Sequence, residues 1–323
     1  MRRYSMWLLV PCWVLLAAAP SSPNSVGNPV MPQKAQDGIR KMYEGDPDGA
    51  IAVFRELQSS SPDHPLGFLL EAEARWWKID CSSLEVKWAL VDAWRHPHDA
   101  SVDEYLALAN KTIALAQARN AARESAEMHL YAGLGSGLKA RIYAILGDHR
   151  AVARAGVDAR TEMLRALQLD PQMADADAGI GLYNYYVDAL PGIVKILRFF
   201  MGLPSGNKQD GIHQLETAIS GGGVTAVDAR FYLARNLRTY DRQYERAGEI
   251  LEPLTQQYPR NPVFLLLLAN LNLELSRSEK AVALIRRIHD QPGVDSVCSA
   301  RASQVAQTLL QAFRNAGSSN AEQ

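Results

Sequence analysis

His96 and His98 flank Pro97 and precede Asp99, which sets two imidazoles and a carboxylate side by side. A metal site needs three or four ligands held by a folded frame. This group recruits none from elsewhere in the sequence, so it reads as a turn that breaks a helix. The stretch Gly133, Leu134, Gly135, Ser136, Gly137 fits neither a phosphate loop, which ends in Gly-Lys followed by Ser or Thr, nor a hydrolase elbow, whose serine lies between two residues that are themselves flanked by glycines. Glycines within a helical segment more simply permit close contact between helices. The carboxylate pairs Glu71/Glu73 and Asp175/Asp177 have i,i+2 spacing, which turns the two groups to different faces of a helix and forms no acid–base dyad. With seven scattered histidines and no nucleophile beside a base, the sequence predicts no catalytic residue, no cofactor and no metal.

A more regular signal is carried by amides and aromatic rings. Tyr232, Asn236 and Tyr240 fall on one helix face, and Leu266, Asn270 and Glu274 fall on the equivalent face of a later helix, with Asn236 and Asn270 separated by 34 residues. A primary amide both donates and accepts, so an asparagine facing a groove can hold a peptide backbone. Tyr232, Asn236, Tyr240, Asn270 and Glu274 are therefore the candidate partner-binding residues; the competing reading is that the two asparagines bond within the fold.

The elements that would carry these residues follow from a recurring pattern. A small residue is followed after four positions by a bulky apolar one, after three more by another, and after about five by proline: Ala50, Phe54, Leu57, Pro62; Ala159, Met163, Ala166, Pro171; Ala247, Leu251, Leu254, Pro259; Ala281, Ile285, Ile288, Pro292. The last two copies keep a 34-residue register. Small residues let paired helices approach, and proline ends the second helix where its missing N–H does least harm. Such hairpins bury their apolar faces only by stacking, so the prediction is an all-α solenoid of the tetratricopeptide repeat (TPR) type over 33–315. It is off-consensus over 65–125, irregular over 181–223 and most regular over 225–292. Glycines 221 to 223 read as a flexible joint, the final helix as a cap, and 316–323 as a disordered tail.

The ends and the surface bound the setting. Arg2 and Arg3, the apolar run 6–19 and three alanines at its end read as a signal peptide over 1–19, followed by a Ser/Pro/Asn-rich linker over 20–32. The chain is thus expected to be exported, periplasmic or envelope-associated. Cys81 and Cys298 lie 217 residues apart, and in an extended solenoid they are expected to stay apart as buried thiols. A formal charge of −1 in 323 residues offers no basic stripe for nucleic acid. Trp76, Trp77, Trp88 and Trp94 are expected in the core. The run 193–203, with Phe199, Phe200 and Met201 beside Lys195 and Arg198, suits either burial between repeats or contact with a membrane surface, and burial is the preferred reading.

Residues 181–218 begin Gly-Leu-Tyr-Asn, pass through Leu190-Pro191 into an apolar stretch, and enter a helix with Gly211 and Leu215. Together with 249–254 and 258–262, this segment resembles the family that contains tetratricopeptide repeat protein 39 and the fungal mitochondrial outer-membrane inclusion-body clearance protein, over roughly residues 172–290. The resemblance implies an all-helical repeat fold, an adaptor role without catalytic residues and, given the signal peptide, a bacterial envelope relative. The expected function is a non-catalytic protein- or peptide-binding scaffold working through a concave groove. The alternatives are a membrane-surface module using 193–203 and an enzyme or accessory subunit with a site near 65–100.

Overall fold

A computed structural model describes residues 27–189, 204–289 and 295–321. The expected signal peptide, the segment holding Phe199, Phe200 and Met201, and Pro292 lie outside the described residues. What is described is an all-α solenoid of antiparallel helical hairpins in TPR-like order. The helices are α1 Gln33–Tyr43, α2 Pro47–Ser60, α3 Leu66–Ser82, α4 Ala100–Ala122, α5 Ala126–Leu146, α6 His149–Leu169 and α7 Ala174–Ala189, then α8 Lys208–Gly221, α9 Ala226–Thr239, α10 Tyr244–Gln257, α11 Pro262–Glu274, α12 Ser278–His289 and α13 Ser296–Ala321. Each packs chiefly on the helix before and after it. Side-chain oxygens of Asp46, Asp99, Ser125, Asp148, Asn207 and Asn261 accept from the first free N–H groups of α2, α4, α5, α6, α8 and α11, which fixes where those helices start.

The repeat signature has the physical role its spacing predicts. Ala50, Phe54, Ala159, Met163, Ala166, Ala247, Leu251, Leu254, Ala281, Ile285 and Ile288 are all buried, whereas Leu57 is only partly so. Helices α2, α6 and α10 stop two residues before Pro62, Pro171 and Pro259. Close approach is most severe where α7 crosses α8. A Cβ on Gly211 would lie 2.7 Å from the Gly181 carbonyl oxygen and 2.8 Å from the Tyr185 nitrogen, backbone atoms that cannot swing aside.

Four expectations are overturned. First, the chain does leave helical structure: β1 Leu84–Lys87 and β2 Leu90–Ala93 form an antiparallel hairpin, with Leu84 opposite Ala93 and Lys87 opposite Leu90. Its two turn residues, Trp88 at φ 51° and Ala89 at φ 62°, both sit in the left-handed region, which gives the turn the twist a two-residue hairpin needs. Trp88 is 82% exposed there and does not belong to the core, unlike buried Trp76 and Trp77.

Second, Cys81 and Cys298 are joined in a disulfide with their Cα atoms 5.5 Å apart. The solenoid is not extended: α13 caps α11 and α12 but also folds back onto α3 and β1. Asn261 donates to the Tyr43 carbonyl (2.9 Å), the Asp295 N–H to the Gly45 carbonyl (2.9 Å), and the Tyr43 ring meets Tyr258 and Phe264. The main apolar core therefore includes residues from the first repeat and the last, with a second, smaller cluster around Leu130, Met163 and Ile180.

Third, the glycine joint at 221–223 is pinned. Buried Asp175 accepts from the N–H groups of Gly223 (2.8 Å) and Thr225 (2.9 Å) and from the Thr225 hydroxyl (2.7 Å). Fourth, α13 continues past 315 to Ala321, into the stretch expected to be disordered.

Candidate functional site

Closure brings charged side chains from distant repeats into the interior. Arg141 on α5 donates to Glu73 on α3 (2.5 Å) and to Asp228 on α9 (3.4 Å), and the Tyr43 hydroxyl donates to Asp228 (3.0 Å). The Arg141 guanidinium also lies over the rings of Trp76 (5.2 Å) and Tyr232 (5.1 Å). Burial pushes the Glu73 carboxyl up to about 8 against the opposing pull of Arg141. Burial likewise raises the Tyr43 and Tyr232 phenols well above their ordinary value. Such groups stabilise the fold only as a set, because any one of them left alone would be a desolvated charge.

A second cluster binds the hairpin to the repeats. Arg235 on α9 pairs with Asp92 on β2 and lies 3.7 Å from Asp80 on α3, and Arg238, fully buried, reaches Asp92 at 3.4 Å. Burial opposes the charge on both arginines. For Arg235 the attraction of Asp92 and Asp80 outweighs it and raises the pKa; for Arg238 burial prevails and lowers it to about 10. Burial lifts Asp80 to about 6, although Arg235 pulls it down.

Asn270, 0% exposed, completes this cluster in the manner the sequence suggested for a groove asparagine, but on the chain's own backbone. Its carbonyl oxygen accepts from the Val91 N–H (3.1 Å) and from Arg238 (3.0 Å), and its amide donates to the Ala89 carbonyl (2.9 Å). The concave face of α9 and α11 is thus filled by residues 84–93. Packing across this junction is incomplete. A void of about 10 Å³, room for about one water, lies between Leu84, Val91 and Asp92 on the hairpin and Phe231, Arg235, Arg238, Val263 and Leu267 on the helices, with Asp80 at its edge.

The other candidates surround the same centre. Asn236 is 1% exposed; its oxygen accepts from the Tyr186 hydroxyl (2.9 Å), while its amide nitrogen has no partner among the described residues. Tyr232 is buried between the Arg141 and Arg235 guanidiniums. Tyr240 is 54% exposed and meets Tyr185 and Tyr186 edge-on. Glu274 is half-buried, and burial raises its carboxyl although Arg238 favours the charged form. Of the five, Tyr240 is exposed and Glu274 half-buried, whereas Asn236, Asn270 and Tyr232 are buried.

The remaining motifs are accounted for locally. His96 Nδ1 is hydrogen-bonded to the Ser83 hydroxyl (2.8 Å) and His98 to Asp103 (2.8 Å), so the two rings face different partners. No group of three or more metal-ligating side chains occurs among the described residues, and none of the helices described is long and apolar enough to cross a membrane. Gly133 gives room to Met163 and Gly135 to Ile113 and the Ala109 carbonyl, which is the helix contact the sequence predicts; Gly137 meets nothing.

Arg235, Arg238, Asp80 and Asp92 were not singled out in the sequence. Arg235 and Arg238 do flank Asn236, which was a candidate. The hairpin that pairs with them was also missed, because its turn holds Trp-Ala where Asn-Gly or Asp-Gly would announce it.

No protein-family profile matches the chain. Solved structures similar to it include a monomeric mutant of IFIT1 with m7Gppp-AAAA, at 14% identity and a TM-score of 0.41 over 87% of this chain. They also include the human IFIT1 dimer with PPP-AAAA, at 14% identity and a TM-score of 0.26 over 79% of this chain and 71% of that one. The chain spans 63% of the length of the first of these.

Proposed function

We propose that this chain is an exported, non-catalytic scaffold that holds an extended segment of a partner protein against the inner face of α9 and α11. The observation that carries this reading is the pair of bonds from Asn270 to Ala89 and Val91, since a surface that grips one extended backbone has the donors and acceptors to grip another. Protein is favoured over nucleic acid because the arginines at this face, Arg141, Arg235 and Arg238, are each paired with carboxylates. Holding is favoured over bond-making because Glu73, Asp80, Asp92 and Asp228 face arginines, with room at the Asp80 and Asp92 cluster for about one water. Export is supported by the Cys81–Cys298 disulfide, which suits an oxidising compartment. A bacterial envelope setting and kinship with the clearance-protein family belong to the same proposal and rest on the sequence resemblance alone.

The test uses Tyr240 and Glu274, the more accessible candidates, because changing Asn236 or Asn270 also breaks internal bonds. Immobilised full-length protein is compared with a Tyr240→Ala/Glu274→Ala variant for capture of envelope proteins, read by mass spectrometry. Partners bound through this face should be depleted severalfold on the variant at unchanged helicity. Equal capture by both proteins would remove the face from the function.

A further inference from the structure

Residues 84–93 contribute Leu84, Val91 and Ala93 to the core, but their polar groups are met as those of a ligand would be. A single side-chain amide bonds two of their backbone groups, and a single carboxylate, Asp92, enters a pair of arginines. The junction with α9 and α11 keeps a water-sized void. The turn places an aromatic residue, Trp88, at φ 51°, where a side chain is strained. Its ring is out in solvent against Trp94, and so adds little to holding the hairpin down.

What confines the hairpin is the closure of the chain around it. Cys81 ends α3 just before β1, and its disulfide partner Cys298 opens α13, which packs on β1 and β2. Cys81 is buried, but Cys298 is only partly so and adjoins the well-exposed Val297, so a reductant approaches from that side.

We propose that residues 84–93 are a displaceable internal occupant of the concave face, that the Cys81–Cys298 disulfide is the latch that retains them, and that the face accepts in their place an extended acidic segment of a partner. The partner half rests on the scaffold reading given above. The latch opens by thiol–disulfide exchange with a dithiol: the S–S bond breaks, Cys81 and Cys298 each gain a proton as thiols, and the dithiol loses two electrons and two protons to become a disulfide. α13 then swings from β1, and Asn270, Arg235 and Arg238 are left facing open space. An acidic partner is specified by charge. Once Asp92 withdraws, Arg238 loses its carboxylate and Arg235 keeps only Asp80 at 3.7 Å, while Asn270 needs a backbone N–H one residue upstream of the incoming carboxylate and a C=O three residues upstream of it.

Hydrogen exchange on the full-length protein, oxidised and then reduced with dithiothreitol, tests the latch. Residues 84–93 and the first turns of α13 should exchange about tenfold faster or more after reduction, with α5 and α6 unchanged. A Cys298→Ser variant should behave like the reduced protein without any reductant. Unchanged protection of 84–93 in both cases would overturn the latch, as would loss of the far-ultraviolet helical signal, which would make the disulfide a global support.

The occupant is tested separately by fluorescence anisotropy with a labelled peptide of the sequence Leu-Glu-Val-Lys-Trp-Ala-Leu-Val-Asp-Ala. It should bind the reduced protein at least about tenfold more tightly than the oxidised one. Faster exchange without peptide binding would leave the latch standing and overturn the partner half; the scaffold reading itself is decided by the Tyr240→Ala/Glu274→Ala capture comparison.

Discussion

At the scale of single residues, the molecule depends on buried charges that neutralise one another across the closed interior. Arg141 faces Glu73 and Asp228, so its loss strands two carboxylates in a medium that cannot solvate them. Arg141→Ala is expected to lower unfolding stability by about 3–5 kcal/mol, measured by urea denaturation; a loss within the range of an ordinary surface substitution would mean water already reaches the cluster. Asp80 supplies a pH dependence. Its pKa is raised to about 6 by burial, above that of an unfolded chain, so its protonated form favours folding. The contribution is complete below about pH 4 and is lost as pH rises through about 6, amounting to about 3 kcal/mol. Asp80→Asn should flatten the fall in stability over that interval in the same titration. These roles were not legible in the sequence, because a carboxylate or guanidinium states its charge but not its burial. What could be read was the amide: Asn270 bonds within the fold, the competing reading of its type and register, and the backbone it bonds is that of the hairpin.

At the scale of elements, the helices were legible because every strong signal was local. The alanine-to-proline spacing marks α2, α6 and α10. Gly181 and Gly211 extend this reading to packing. Since a Cβ on Gly211 would meet backbone atoms rather than a flexible side chain, Gly211→Ala should push α7 and α8 apart and cost about 1–3 kcal/mol, visible as a lower thermal midpoint. An unchanged midpoint would show that the two helices can separate freely. The β-hairpin was hidden for the opposite reason. Its strands are four residues each, its turn lacks the usual Asn-Gly or Asp-Gly signature, and its position is set by α9, α11 and α13, which are remote in sequence.

At the scale of the whole molecule, repeat periodicity predicts stacking but says nothing of how far the superhelix turns. An open array would have kept Cys81 and Cys298 apart; the observed closure joins them and places the last repeat against the first. A disulfide that closes a loop of 217 residues restricts the unfolded chain by an amount worth about 5 kcal/mol in the chain-entropy description. The latch reading requires that most of the helical fold survive without it. Closure also alters the functional expectation. The face expected to be open carries the hairpin on Asn270, and both candidate asparagines are buried. The account's central claim is therefore that the face of α9 and α11 is a peptide-binding surface occupied in cis. The direct measurement replaces residues 84–93 with a Gly/Ser loop, confirms unchanged helicity, and titrates the labelled hairpin peptide into that variant. Saturable binding that weakens about tenfold when the peptide's aspartate becomes asparagine is the predicted result; a folded variant that shows no saturable binding would contradict it.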